Sequence, residues 1–231
     1  MNWLNNPITD IYKKEASKLN GEIKKLESAK LALENLLTQN NNRQMQQAQS
    51  ALNWFWGKRL SDNFWKGRLY EYYIGYICES DGWQVDYYGV KNVVNDKGRD
   101  LICEKGNTVL IVQCKNWSKF QVSEKEIHQF AGTVQAYKLD LLAKNPQAKV
   151  KVTGVLCTST SLSPEAQNAA KTLGIQFSAN KTLQQFPMVK ATTDNNGERR
   201  YYIPTDLGYE DVVAVKRFNN AQSAQKAGFT R

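Results

Sequence analysis

The residues best placed to do chemistry are Asp100, Gln113 and Lys115, because the chain between them turns back on itself. Gly106-Asn107 has the composition of a two-residue hairpin turn between β-rich runs, so facing residues sum to 213: Lys105 opposes Thr108, and Asp100 opposes Gln113. Side chains alternate along a strand, which puts Lys115 on the face of Gln113, about 6.6 Å further on, and Cys114 on the other. A carboxylate, an amide and an ammonium thus converge at one end of a hairpin. Asp100 and the Gln113 side-chain oxygen are hard ligands for a divalent ion, the Cys114 backbone carbonyl adds a third, and Mg²⁺ keeps water in its remaining positions. Lys115 is then placed to orient or deprotonate a water and to balance the charge of a phosphate, as metal-assisted phosphodiester hydrolysis requires.

Glu71 is the fourth candidate. It lies four residues from both Gly67 and Gly75, so small residues flank it one helical turn away on either side. A glycine inside a helix costs about 1 kcal/mol relative to alanine, and Gly75 therefore suggests another backbone close to that face. On spacing alone, an exposed strand end explains the three hairpin residues, and a solvated helix position explains Glu71, without any catalysis.

These residues need a scaffold. Residues 67–83 carry apolar positions at helical spacing and end at Gly82, as an amphipathic helix does. Strand signals follow in WQVDYYGV, RDLICEK and NTVLIVQCKNW; Ser123 to Leu142 returns to helical spacing through Ile127, Phe130, Val134 and Tyr137. After Pro146 come the strand KVTGVLC, a helix opened by Ser163-Pro164-Glu165, and the strand GIQFS. Helix, three strands, helix, strand, helix, strand is a mixed α/β order.

Two flanks surround this core. From Tyr12 the series Tyr12, Ala16, Leu19, Ile23, Leu26, Lys30, Leu33, Leu37 steps alternately by four and three, the seam of a coiled coil or of a helix packed on its own chain. The run Gln39-Asn40-Asn41-Asn42-Arg43 reads as its end or as a linker. The aromatic and basic stretch from Trp54 to Arg68 suits either base stacking or, more simply, burial of the junction between arm and core. At the other end, residues 181–231 read as a hairpin turning at Asn195-Asn196-Gly197, followed by a short helix ending at Gly228. The expected division is therefore a helical arm over residues 1–60, a core over 61–180 and a small basic module over 181–231.

Composition narrows the function classes. The 231 residues carry 31 basic and 22 acidic side chains, a net charge of +9, with the excess concentrated in the flanks. A polyanionic partner suits that balance, as does plain solubility. No window approaches the roughly 18 apolar residues of a membrane span. The opening MNWLNNPITD lacks a basic n-region and an apolar h-region, so the expected location is the cytoplasm. Cys78, Cys103, Cys114 and Cys157 form no CxxC pair and there is one histidine, which argues against structural zinc and for buried thiols in a reducing compartment.

The string from Gly67 to Phe177 resembles the catalytic domain of Mrr-type restriction endonucleases, within the PD-(D/E)XK nuclease superfamily. The resemblance is carried by Glu71 ahead of Gly82-Trp83 and Val85, by Gly98-Arg99-Asp100-Leu101-Ile102, and by Gln113-Cys114-Lys115. Glu126-Ile127 with Gln129-Phe130, Gly154 to Ser159, and Ser163-Pro164-Glu165-Ala166 complete it. It implies a restriction-endonuclease-like mixed sheet flanked by helices and a Mg²⁺-dependent DNA endonuclease, Mn²⁺ substituting. Asp100, Gln113 and Lys115 take the signature positions, with Glu71 as auxiliary acid and possible metal ligand. Gln113 stands where the wider superfamily has an acid, as the Mrr branch commonly does; the lost charge implies weak metal affinity and activity that depends on bound DNA. His128 and Gln129, on the helix that flanks the site, are DNA-contact candidates beside Lys97, Arg99, Arg199 and Arg200. DNA is the expected partner, with homodimerisation through the N-terminal helix as an option. Rival readings are a non-catalytic DNA-binding or assembly protein on the same fold and a junction-type nuclease. The N-terminal arm does not look like the winged-helix reader frequent in this family, so recognition of modified bases does not carry over.

Overall fold

The computed structural model describes the backbone of residues 7–92, 97–147 and 149–231, and side chains from residue 10 onward. The first six residues of the expected arm lie outside them.

The chain opens with one long helix, α1 (Pro7–Gly57), 51 residues started by a proline whose missing N–H costs nothing at that position. The expected break at residues 39–43 does not occur: α1 runs straight through it. Asparagine and glutamine are only mildly unfavourable in a helix, and neither glycine nor proline interrupts the hydrogen-bond ladder there. Every side chain from residue 10 to 40 is exposed, and burial begins only at Ala48, Leu52 and Phe55. A 3-10 turn leads to α2 (Asn63–Ser80), capped by Asp62, whose carboxylate accepts the Trp65 N–H at 2.9 Å. Aromatic rings close the junction between the two helices: Phe55 packs edge-on against Trp65 and Tyr72, 5.8 Å from each, while Trp54 and Phe64 stay half exposed.

Five strands, β1 (Gln84–Asp86), β2 (Leu101–Lys105), β3 (Thr108–Lys115), β4 (Lys151–Thr158) and β5 (Ile175–Ser178), lie side by side in chain order. The first three pair antiparallel, and β3, β4 and β5 pair parallel across helical connections. WQVDYYGV is not one strand: after Asp86 the chain turns into the one-turn helix α3 (Tyr88–Lys91), where Gly89 packs directly on the Asp100 backbone and donates its N–H to the Asp100 carbonyl at 2.9 Å. The crossovers are α4 (Glu124–Lys144), opened by a Ser123/Glu126 capping box, and α5 (Pro164–Leu173), capped by Ser163 and ended by left-handed Gly174.

The two faces of the sheet bury different partners. Leu101, Cys103, Val112 and Cys157 pack toward α1, α2 and the C-terminal segment, while Ile102, Val109, Ile111, Leu156 and Ile175 pack with Ile127, Phe130 and Val134 of α4 and Ala166, Ala169 and Ala170 of α5. The three central strands therefore supply both cores by alternation. All four cysteines are free, Cys103 and Cys157 fully buried. Among the described residues no helix is long and apolar enough to cross a membrane.

The C-terminal segment forms the expected hairpin, β6 (Val189–Thr193) with β7 (Arg199–Tyr202), its turn held by the Asp194 carboxylate accepting the N–H groups of Asn196 and Glu198 at 2.9 Å. A third strand, β8 (Lys216–Phe218), adds to the other edge of β6, and α6 (Ala221–Lys226) follows. Three residues of Lys-Arg-Phe carry too little alternation to announce a strand. This small sheet is clamped to the core: Glu79 of α2 pairs with Lys190 at 3.1 Å and with Arg217, and Tyr72 bonds Glu210. On α1, Gln49 accepts the Ala221 N–H at 3.0 Å.

Candidate active site

The hairpin register is as the sequence predicts from Lys105↔Thr108 to Leu101↔Val112. It fails one residue further on. Asp100 lies just outside β2 in a bend, and its N–H reaches the Val112 carbonyl at 3.0 Å, so it does not oppose Gln113 across the ladder. The cause is the turn before it, in which Lys97 and Gly98 both adopt left-handed backbone, φ 53° and 71°. Glycine suits that conformation, and a Cβ at residue 98 would sit 3.0 Å from the Thr133 hydroxyl oxygen. The turn is held from both sides: Thr133 of α4 donates to the Lys97 carbonyl at 3.2 Å, and the Gln113 Nε2 approaches the Gly98 carbonyl at 3.5 Å.

Despite the slip, Asp100 arrives at the same strand end. Its Oδ2 accepts the Cys114 N–H at 2.6 Å, which fixes a carboxylate against the peptide between Gln113 and Cys114. Burial, and then the Asp100 charge, push the Cys114 thiol well above its ordinary range; Glu71 adds to the same shift from the α2 side. Asp100 therefore borders residue 114 directly.

Glu71 is mostly buried and pairs with Arg68, one turn earlier on α2, at 2.9 Å. Arg68, at the end of the aromatic and basic stretch, thus serves Glu71, and the i, i+3 spacing of opposite charges is the sequence signal for it. The glycines flanking Glu71 do something other than expected. A Cβ at Gly75 would meet the ring of Tyr87 at 2.4–2.7 Å, so a buried aromatic side chain and not a backbone fills that gap; near Gly67 nothing lies within 4 Å. Asn116 ties the end of β3 to the start of α2 by donating to the Lys66 carbonyl at 3.2 Å.

Lys115 is half-buried on the face of Gln113, its ammonium 5.0 Å from the Trp117 ring. Glu126 is its acidic neighbour on α4. Burial pushes the Glu126 carboxyl up, but hydrogen bonds from the Ser123 hydroxyl and N–H, with the Lys115 charge behind them, hold it below its usual range. That carboxylate is the residue the site adds to the sequence reading. Its capping-box spacing from Ser123 was visible; its approach to Lys115 was not.

The DNA-contact candidates fall in three places. Lys97 is exposed on the turn just before Asp100, and His128 and Gln129 are exposed on α4, His128 facing Glu124 at 3.3 Å. Arg99 is only 6% exposed, its guanidinium 5.4 Å from the rings of both Tyr88 and Tyr137, where it packs the turn against α3 and α4. Arg199 and Arg200 belong to the separate C-terminal sheet: Arg199 stacks 4.3 Å over Phe229 and donates to the Ala227 carbonyl at 2.7 Å, and Arg200 pairs with Glu198.

The donors gathered here are oxygens: the Asp100 carboxylate, the Gln113 side-chain carbonyl, whose amide nitrogen is turned to Gly98, and the Cys114 carbonyl. That set fits a small hard divalent ion. Among the described residues no three His, Cys, Asp or Glu side chains cluster as a metal cage.

A mixed sheet whose hairpin end carries Asp100, Gln113 and Lys115, bordered by a helical glutamate, has the architecture of restriction-endonuclease-like nucleases. The sequence model of the restriction endonuclease catalytic domain Mrr_cat matches residues 64–186, and the chain belongs to this family. Among solved structures it is similar to a crystal structure of a protein of unknown function, AF1548, at 19% identity and a TM-score of 0.36, covering 51% of this chain and 61% of that one. No curated protein matches it.

Proposed function

We propose that the protein is a Mg²⁺-dependent DNA endonuclease that hydrolyses phosphodiester bonds in restriction-type defence or DNA processing in the cytoplasm. The observation that carries this reading is the Asp100 carboxylate held 2.6 Å from the Cys114 N–H, at the end of the strand that presents Gln113 and Lys115. Asp100, the Gln113 side-chain oxygen and the Cys114 carbonyl would hold the ion, with Glu71 beside them. When bound, Mg²⁺ supplies charge stabilisation at the scissile phosphate and acidifies water.

The chain's own groups do the rest. Lys115 orients the attacking water and offsets phosphate charge. Lys97, His128 and Gln129, exposed around this strand end, meet the DNA backbone; Arg199 and Arg200 extend that contact on the C-terminal module. One carboxylate with two neutral oxygens binds Mg²⁺ weakly, so metal and DNA assemble on the site together.

Supercoiled, linear, branched and methylated DNA incubated with Mg²⁺, Mn²⁺ or EDTA test the proposal. Cleavage requires the divalent ion, and Lys115→Ala abolishes it while melting like the parent. Full activity of Lys115→Ala, or cleavage in EDTA, overturns the assignment. DNA retention in EDTA with no cutting under any condition marks the protein as a binder on a nuclease scaffold instead.

A further inference from the structure

Among the described residues the outer part of α1 packs on nothing. All side chains from residue 10 to 40 are exposed, among them Tyr12 at 67%, Leu19 at 61%, Leu26 at 70%, Leu33 at 58% and Leu37 at 54%. By helix geometry this segment projects roughly 45 Å from the core. An isolated helix containing Gly21 and a run of asparagines is marginal in water, and most helical stability in proteins comes from burying an apolar face. The stripe needs a partner.

Its spacing says which kind. Tyr12, Leu19, Leu26 and Leu33 repeat every seven residues, as do Ala16, Ile23, Lys30 and Leu37, and the two series interleave as d and a positions of one heptad frame. A strict seven-residue repeat fits a helix that supercoils around a like helix, not one lying on a sheet. The set that packs on the core, Met45, Ala48, Leu52 and Phe55, restarts the pattern eight residues after Leu37, so the outer stripe is a separate surface and not the end of the intramolecular contact. Leucine at three of the four d positions and β-branched Ile23 at a, beside Ala16 and Leu37, suit two parallel strands, and Lys30 at the remaining a position sets their register. Lys30 is tolerable there because Glu34 of the same helix stands 4.0 Å from its ammonium.

We infer that α1 joins two copies of this chain in a parallel, in-register coiled coil over residues 12–37. Both cores then hang from the same end, related by a two-fold axis along the coil. This rests on the nuclease reading for its consequence: a duplex has two-fold symmetry of its own, so the paired sites address its two strands.

Sedimentation equilibrium of the full chain at micromolar concentration tests the association. The expected mass is twice 26.3 kDa, and half that for Leu26→Glu/Leu33→Glu, whose core should melt unchanged because both positions are exposed. A monomeric parent overturns the inference, as does a double variant that stays dimeric. Ala16→Cys, near one end of the coil, tests orientation: under mild oxidation it should give a covalent dimer that the parent, with its four native cysteines, does not, whereas dimers without that cross-link overturn the parallel register. On plasmid with Mg²⁺ the dimer should linearise and the double variant should only nick. A dimer by mass that cuts nothing leaves the coil standing and removes the nuclease reading instead.

Discussion

Asp100 does two things in this structure that substitution can separate. Its Oδ2 accepts the Cys114 N–H at 2.6 Å, a structural task, and under the proposed function its negative charge would be the firmest metal donor at the site. Asp100→Ala removes both. The Cys114 amide loses this acceptor in a half-buried place, which costs about 1–3 kcal/mol, and in a chain of this size each kcal/mol lowers Tm by roughly 2–4 °C. Asp100→Asn keeps an acceptor oxygen in place and removes only the charge, so its loss should be about 1 kcal/mol, the difference between a charged and a neutral hydrogen bond. Chemically the two variants should be alike, each losing at least roughly 100-fold in cleavage rate, since neither offers an anionic ligand. Thermal melts and plasmid nicking over a Mg²⁺ series are the assays. Asn cutting like the parent would refute the reasoning, because it would make the residue a turn-holder with no part in metal binding. Asn melting as low as Ala would refute the structural half.

Other substitutions probe the surroundings. Gln113→Glu restores a second carboxylate and should lower the Mg²⁺ concentration for half-maximal cleavage, at the cost of the contact with the Gly98 carbonyl; an unchanged or higher requirement would remove residue 113 from the ligand set. Gly75→Ala gains about 1 kcal/mol of helix propensity but places a methyl 2.4 Å from the ring of Tyr87, itself buried and packed on Tyr72, so net loss of about 1–2 kcal/mol in urea unfolding is expected and a gain would show that the ring yields freely. Lys190→Ala empties the slot between the Tyr87 and Tyr209 rings, each 4.8 Å from the ammonium, and leaves Glu79 with Arg217 and the Tyr87 hydroxyl; a loss of at least about 2 kcal/mol should appear in the same unfolding measurement.

What the sequence by itself determined was everything set by neighbours in the chain. The two-residue turn at Gly106-Asn107, the Ser123 and Ser163 helix starts, the Asn195-Asn196-Gly197 hairpin and the order of the core elements all follow from local backbone preference and from periods of two and 3.6, which are legible in any window of a dozen residues. So is the convergence of Gln113 and Lys115 on one strand face. Tertiary structure decided what depends on contacts between distant segments. The bend that takes Asp100 out of register is imposed by a turn held from α4 and β3, the gap at Gly75 is filled by a ring from beyond β1, and Arg68 and Glu126 become neighbours of the site only once α2 and α4 flank the strand end. The unbroken α1 belongs to the same group: its polar run looks like an ending in isolation, but Ala48, Leu52 and Phe55 are buried just beyond it and anchor the helix to the core. Hydrogen bonds to the next few residues are written in the sequence, whereas burial against a partner a hundred residues away exists only after the chain has closed on itself.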